Sequence, residues 1–502
     1  MWVAYHNERT VTTLKGLCHL TVVISSCRNR ECERYHMSYH PEEEGIWALP
    51  HGEFGLQVIA LVGALRYGEH RSVPQIHQQL HLHGLPRCSR SVQHLVERYE
   101  ELVALRVADD SRLQEVLSKQ GRVILAIDGL EPDAEHEVLW VLRDCLSGEP
   151  LLARALLSSS KADLVALLEE AKRTLPVPIT AVISDAEPAI RAAVREVLPD
   201  VPHQLCQFHY VRQASKPIVE ADQHAKKELK KPIRGVRPIE RALQDRTDTD
   251  ATATRRYCLA VRSAISDDGH PPLRPPGLRL HERLELMSTS LARVAKKGGL
   301  PTELAQLQTL LTTALTKTQA LWPALQIAWE WVHQVASILE NHDHLDGTGV
   351  QEQLQAQLSR MQDHQDQVAA LGDVVERFTK VTANYAPGLF YTYDLPDVPP
   401  TNNALEQCFG SVRWHERRAT GRTTVPGLVV RGPVRVLAAV ATHYQCFCIQ
   451  ALQLHNTQAW YHLRDQLAAR QELHRLQFRF RKDPAAYLAA TEDMLIKAPL
   501  PS

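Results

Sequence analysis

Between residues 121 and 205 short apolar runs alternate with segments of helical period. The β-branched run at 123–127 reads as a central strand, followed by further strands at 137–143 and 151–157. Residues 161–174 put Leu164, Leu167, Leu168 and Ala171 on one helical face. A strand at 179–184 and a helix at 188–197 complete the pattern, which predicts an α/β core with a mixed sheet. Strand order does not follow from the pattern alone.

Downstream the periodicity changes. Long amphipathic stretches at 278–295, 302–339 and 350–382 surround a proline-rich loop at 267–277, so an all-α insertion is expected to interrupt the core. The proline-rich run PDVPPTNN returns the chain to that core, and helices at 428–455 and 458–482 read as packing and assembly elements. Upstream, Ser72 before Val73-Pro74 marks a helix start, Gly84-Leu85-Pro86 breaks that helix, and Ser89 can cap a second. The second helix carries Val92, Leu95, Val96 and Tyr99 on one face. Two short helices about a tight turn fit a helix-turn-helix, with Arg87, Arg90, Gln93 and His94 as candidate DNA contacts. An ordinary helical hairpin is the competing reading. The first 50 residues hold Cys18, Cys27, Cys32, His36 and His40. The C-x4-C-x3-H-x3-H spacing makes Cys27, Cys32, His36 and His40 candidate structural zinc ligands, against the plainer reading of buried small residues.

The resulting division is 1–50, a zinc-like segment; 51–110, a helix-turn-helix domain; 118–212, the first part of the core; 213–395, the all-helical insertion; 396–455, the rest of the core; and 456–502, a helical tail. At 502 residues and 44% hydrophobic the chain can fill several cores. The formal net charge of -1 gives no global polycationic signature, but the charge is uneven. Basic residues dominate from Arg212 to Arg241, and six arginines between Arg413 and Arg435 face the single acid Glu416. The absence of any run of 18 apolar residues argues against a membrane span, and the polar start argues against a signal peptide. Ten cysteines in so long a chain suit a reducing cytoplasm better than a disulfide scaffold.

Three acidic residues stand out against this frame. Asp128, in VILAIDGLEP, follows a strand-like run and precedes Gly129, which permits close approach of a substrate backbone. Asp185, in ITAVISDAEPAI, likewise ends a strand. Glu406 opens an arginine-rich helical segment, TNNALEQCFGSVRWHERRATGR. Each has a bland reading: an Asp-Gly turn, a helix N-cap, and a capping-box partner of Asn403. Brought together, the three could hold two divalent cations (Mg2+ or Mn2+) and act on a phosphodiester. Arg413, Arg417, Arg418 and Arg422, with Trp414 and His415 among them, would supply a cationic surface for a phosphate backbone.

Together AIDG, ISDAEPAI, HQLCQFHYVR and TNNALEQCFGSVRWHERRATGR resemble the DDE transposases of bacterial insertion sequences, nearest the mutator-like group. The resemblance covers roughly residues 50 to 450. It implies a ribonuclease H-like catalytic core, which the strand-helix alternation matches. It also implies a catalytic, metal-binding triad of Asp128, Asp185 and Glu406, and a family Cys-x2-His pair at Cys206 and His209. The implied reaction is two-metal-ion cleavage at element ends and transfer of the 3′-OH to target DNA, without ATP; no Walker-type loop occurs. Double-stranded DNA (terminal inverted repeats and target), a homodimer or larger assembly, no membrane, and a cytoplasmic, nucleoid-associated location in a bacterium are the corresponding expectations. The alternatives are a nuclease of the same fold without strand transfer, and a transposase-derived DNA-binding regulator.

Overall fold

The computed structural model describes residues 2–33, 35–85, 89–131, 137–421, 426–444 and 449–497. The chain divides into two compact units, Met1–Pro202 with Asn402–Ser502, and His203–Thr401. No helix among the described residues is long and apolar enough to cross a membrane.

The first unit begins with an antiparallel hairpin, β1 (Trp2–Thr13) and β2 (Gly16–Ser26), with the short β3 (Ser38–Tyr39) on β2. Thr13 pairs with Gly16 across a tight turn, and Gly16 takes φ 115, a conformation open to glycine. Helices α1 (Glu44–Trp47), α2 (Leu56–Gly63), α3 (Val73–Leu82), α4 (Ser89–Val107) and α5 (Asp110–Gln120) follow. The start of α3 is fixed by a capping box between Ser72 and Gln75, with proline in the first turn.

Next come β4 (Val123–Leu130), β5 (Val138–Asp144), β6 (Pro150–Leu156), α6 (Lys161–Thr174), β7 (Ile179–Ser184) and α7 (Pro188–Val197). The strands of this unit lie in the order β6-β5-β4-β7; β4 runs antiparallel to β5 and parallel to β7. Both faces of the sheet are covered, which explains the uninterrupted apolar run of β4. Val123, Leu125 and Ile127 join a core built from Leu113, Leu117 and the inner faces of α6 and α7. Ala126 and Leu130, with Ile183 of β7, enter a second core with helices from both ends of the chain.

The second unit opens with the short strand β8 (His203–Leu205), then α8 (Gln207–Ala214), α9 (Lys216–Ile233), α10 (Val236–Ala242), α11 (Thr249–Ser266), α12 (Pro276–Gly298) and α13 (Thr302–Thr318). It closes with α14 (Trp322–Glu340), α15 (Gly347–Asp363), α16 (Val374–Tyr385) and α17 (Tyr391–Asp394). Its bounds enclose residues 203–212 and 396–401 as well as the expected 213–395. The ends are tied together: the Gln207 amide donates to the Pro400 carbonyl at 3.0 Å, and Gln204 Nε2 to that of Leu389 at 3.0 Å. The amphipathic stretch 302–339 forms two helices, because the chain tightens into a 3-10 turn at Gln319–Leu321 and restarts with a proline in the first turn of α14.

The chain then returns to the first unit with α18 (Asn403–Thr420), α19 (Pro426–Tyr444), α20 (Thr457–Lys482) and α21 (Pro484–Lys497). Arg431 leaves helical geometry (φ -113°, ψ 19°) two residues before Pro433, whose missing N–H kinks α19. Leu405, Cys408, Phe409 and Val412 of α18 join Val434, Val436 and Ala438 of α19 in the core shared with Ala126, Leu130 and Ile183.

Candidate active site

The parallel register of β4 and β7 pairs Leu125 with Val182 and Ala126 with Ile183. Two residues beyond the last pair, Asp128 stands within β4, which runs on to Leu130 beside β5, and Asp185 directly follows the end of β7. Because side chains alternate along a strand, Asp128 shares the face of Ala126, and Asp185 that of Ile183. That is the face on which α18 packs. The Asn402 side chain, just ahead of α18, donates from Nδ2 to the Ile127 carbonyl at 3.3 Å, anchoring the helix start one residue from Asp128. Glu406 lies in the first turn of that helix. The capping-box alternative for Glu406 is not realised as the spacing suggested. The N-cap is Asn402 rather than Asn403, and its side chain makes no capping bond.

Electrostatics bind the three acids into one neighbourhood. Burial, then the charge of Asp185, pushes the Asp128 carboxyl up to about 7; the Gly129 amide opposes, Glu406 adds to the rise, and Arg413 opposes it. The opposing amide bond runs from Gly129 N to Asp128 Oδ1 at 2.8 Å. Asp185 accepts at Oδ1 from the Glu187 amide at 3.1 Å, so its turn is held locally. Glu187 in turn is raised by burial and by Asp185. Asp185 and Glu406 act on the half-buried Asp128, and all three are hard oxygen donors of the kind a divalent cation takes, but among the described residues they do not bring three ligand atoms within 4.8 Å of one another.

Arg413 and Arg417 follow Glu406 by seven and eleven residues, two and three helical turns, and therefore share its face; both are exposed, as is Arg418. Gly410 sits between Glu406 and Arg413 on that face, and a Cβ there would meet nothing within 4 Å. Trp414 is half-exposed, edge-on to His70 at 4.5 Å and below the Arg418 guanidinium at 5.8 Å. Arg422 lies outside the described residues, as does Arg87.

Arg90 and His94 are exposed and Gln93 half-buried near the start of α4, but Val92, Leu95, Val96 and Tyr99 are buried, and Glu100 to Ala104 continue that burial. Only the first turns of α4 offer a surface. In the second unit Cys206 precedes α8 and His209 lies in its first turn, three residues on. In the N-terminal segment the Tyr35 amide donates to the Cys32 carbonyl (2.9 Å) and the His36 amide to that of Cys27 (3.0 Å). His40 is turned to Glu44, 3.2 Å away. Among the described residues Cys27, Cys32, His36 and His40 bring no three ligand atoms within 4.8 Å of one another. The segment is instead organised by the hairpin and by Arg9, which donates to Glu44 at 2.6 Å.

Sequence reasoning missed a buried ionic network behind the site. Glu100 of α4 accepts from Tyr67 (2.8 Å), Arg431 (2.7 Å) and Arg435 (3.1 Å). Arg435 also lies 3.6 Å from Glu416 of α18, which Arg66 approaches to 3.7 Å. The available signal was the helical spacing of Arg431 and Arg435 with no acid nearby in sequence.

The site is acidic beside β4 and β7 and cationic along the adjoining helix. A transposase family model, the ISL3 type of DDE transposases, matches residues 125–389. That match spans more than half of the chain, and the protein belongs to the ISL3 transposase family. The mutator-like assignment is thereby replaced. No curated protein matches the chain.

Proposed function

We propose that this transposase cuts DNA at the ends of its element and joins the freed 3′-OH to target DNA. Asp128, Asp185 and Glu406 act as the catalytic carboxylates of a ribonuclease H-like core. The observation that carries the reading is the mutual crowding of acids from two parallel strand ends and one helix start, with Asp128 raised to about 7. The order β6-β5-β4-β7, antiparallel outward and parallel across β4 and β7, supports the fold.

The three carboxylates would hold two Mg2+ or Mn2+ ions, which when bound polarise the phosphodiester and stabilise the oxygens that attack and leave. Asp128 and Asp185 define one side of that site, at fixed height because their strands are paired. Glu406 closes the other side from a helix anchored through Asn402. Gly129, beside Asp128, lets Val138 and Trp140 pack closely, since a Cβ there would meet Val138 Cγ1 at 3.0 Å and the Trp140 ring at 3.3 Å. Arg413 and Arg417 would receive phosphates flanking the scissile bond, with Gly410 leaving the helix face open between Glu406 and Arg413. Arg418 widens the cationic surface. Arg90 and Gln93, at the accessible end of α4, would contact DNA as part of a helix-turn-helix, and assembly of two copies on paired ends would allow concerted joining.

Substituting Asp128 with Ala should abolish Mg2+-dependent nicking and strand transfer on element-end DNA while duplex binding persists. Retained cleavage would falsify the assignment. Supplying pre-cut ends separates a transposase, which joins them to a target, from a nuclease of the same fold, which does not.

A further inference from the structure

The basic run between Arg212 and Arg241 is not used by the proposed active site, and the second unit gives it a definite shape. Lys230 near the end of α9, Arg234 just beyond it, Arg237 on α10 and Arg262 on α11 line one cleft of about 870 Å3. Its floor includes the buried Ile233 and Val236. We propose that this cleft is a second DNA-binding site, taking the phosphodiester backbone of duplex DNA; the proposal rests on the transposase reading above.

Four cations near the cleft have anions: Lys226 meets Asp268 at 3.0 Å, Lys231 meets Glu228 at 2.5 Å, and Arg279 and Arg283 meet Asp267 at 3.0 and 2.7 Å. Within the cleft only Arg262 is matched, by Glu240 at 3.3 Å. Lys230, Arg234 and Arg237 enter no ion pair among the described residues, and Arg234 and Arg237 are exposed. Like charges gathered on a concave surface repel one another, and the field they focus attracts a polyanion. Burial, then the charge of Lys226, lowers the Lys230 ammonium below its ordinary value, and Asp268 opposes. Ser263 on the same wall adds a hydroxyl donor for phosphate oxygens, while the Ser266 hydroxyl donates to the Ser263 carbonyl at 3.0 Å. Three cations spread over two helices and the turn between them match several phosphates along a strand better than one small anion.

The test uses the full chain, binding to a short duplex of arbitrary sequence measured across a salt series. Each phosphate contact adds about 0.9 to the slope of log affinity against log salt, so three lost cations should lower that slope by about 2 to 3. A Lys230→Ala/Arg234→Ala/Arg237→Ala variant with an unchanged melting temperature and a slope reduced in this way would support the proposal; an unchanged slope would overturn it. In the unsubstituted protein, amine acetylation read by mass spectrometry supplies an arm independent of mutation. The duplex should protect Lys230 and leave the exposed Lys296 labelled, whereas equal labelling of Lys230 with and without duplex would overturn the proposal. Protection by inorganic tripolyphosphate but not by duplex would also overturn it, in favour of a small polyanion. Failure here leaves the Asp128→Ala outcome untouched, and retained cleavage by Asp128→Ala leaves the salt slope untouched, so the two readings fail separately.

Discussion

Replacing Arg435 with Met tests whether the buried ionic network sets the position of α18. Arg435 is buried, bonded to Glu100 at 3.1 Å and 3.6 Å from Glu416. Removing one partner of a buried pair costs about 3–5 kcal/mol, because the charge left behind is neither solvated nor paired. Arg431 still bonds Glu100 at 2.7 Å and Arg66 still stands 3.7 Å from Glu416, so the loss should fall near the lower end, about 3 kcal/mol. Adding Glu416→Leu removes one orphaned charge and should recover about 1–2 kcal/mol as a measurable coupling. The pH dependence has a definite sign. Burial alone would lift the Glu100 carboxyl, but Arg435 and Arg431 outweigh it and hold Glu100 below its ordinary 4.5. Its contribution is therefore complete above about 4.5 and is lost as pH falls through the folded-state value. In Arg435→Met that carboxyl rises, so the deficit should be greatest at neutral pH and should narrow in acid. Urea unfolding of the two variants at neutral and acidic pH reads all three quantities. A loss under about 1 kcal/mol, or a double variant no more stable than the single, would refute the reasoning.

Two glycines give opposite outcomes for the same change. A Cβ on Gly63 would stand 2.1 Å from the Tyr99 ring, so Gly63→Ala should cost about 1–3 kcal/mol, read as a fall in thermal midpoint. Gly410→Ala, on an exposed helix face with nothing within 4 Å, should stabilise the fold by about 0.5–1 kcal/mol. It should nevertheless slow strand joining if a phosphate backbone passes there; unaltered joining would remove Gly410 from the substrate path. Leu405→Ala, at a fully buried position, should cost about 2–5 kcal/mol in urea titration and loosen the helix carrying Glu406.

The α/β core was legible because its strands bury both faces. Such strands write continuous apolar runs, and 123–127 and 179–184 fall within β4 and inside the bounds of β7. The hairpin of β1 and β2 was not legible for the converse reason. Trp2, Val3, Tyr5, Leu17 and Val23 are exposed while Val11, Val22 and Ile24 are buried, so apolar residues mark neither face consistently. Cysteine and histidine spacing then drew the reading toward a metal module. Spacing alone does not fix where side chains point: His40 lies 3.2 Å from Glu44, and the segment's backbone is tied by the Tyr35 and His36 amides.

The acidic site was legible only in part, for a reason that concerns distance along the chain. Asp128 lies two residues short of the end of β4 and Asp185 directly follows β7, and parallel pairing of the two strands brings the two positions toward one level. Glu406 has no such rule: its residue type and spacing from Asn403 also fit a cap, and the arginine-rich segment after it, with the resemblance, set it apart. What resolves the ambiguity is a long-range bond, from Asn402 to the Ile127 carbonyl, which joins positions 275 residues apart. That bond commits the side chain one position ahead of α18 to the sheet rather than to a capping role, and sets the first turn of the helix beside the end of β4. The two elements carry Glu406 and Asp128 respectively, and the same contact that overrides the local motif therefore brings the third carboxylate to the first.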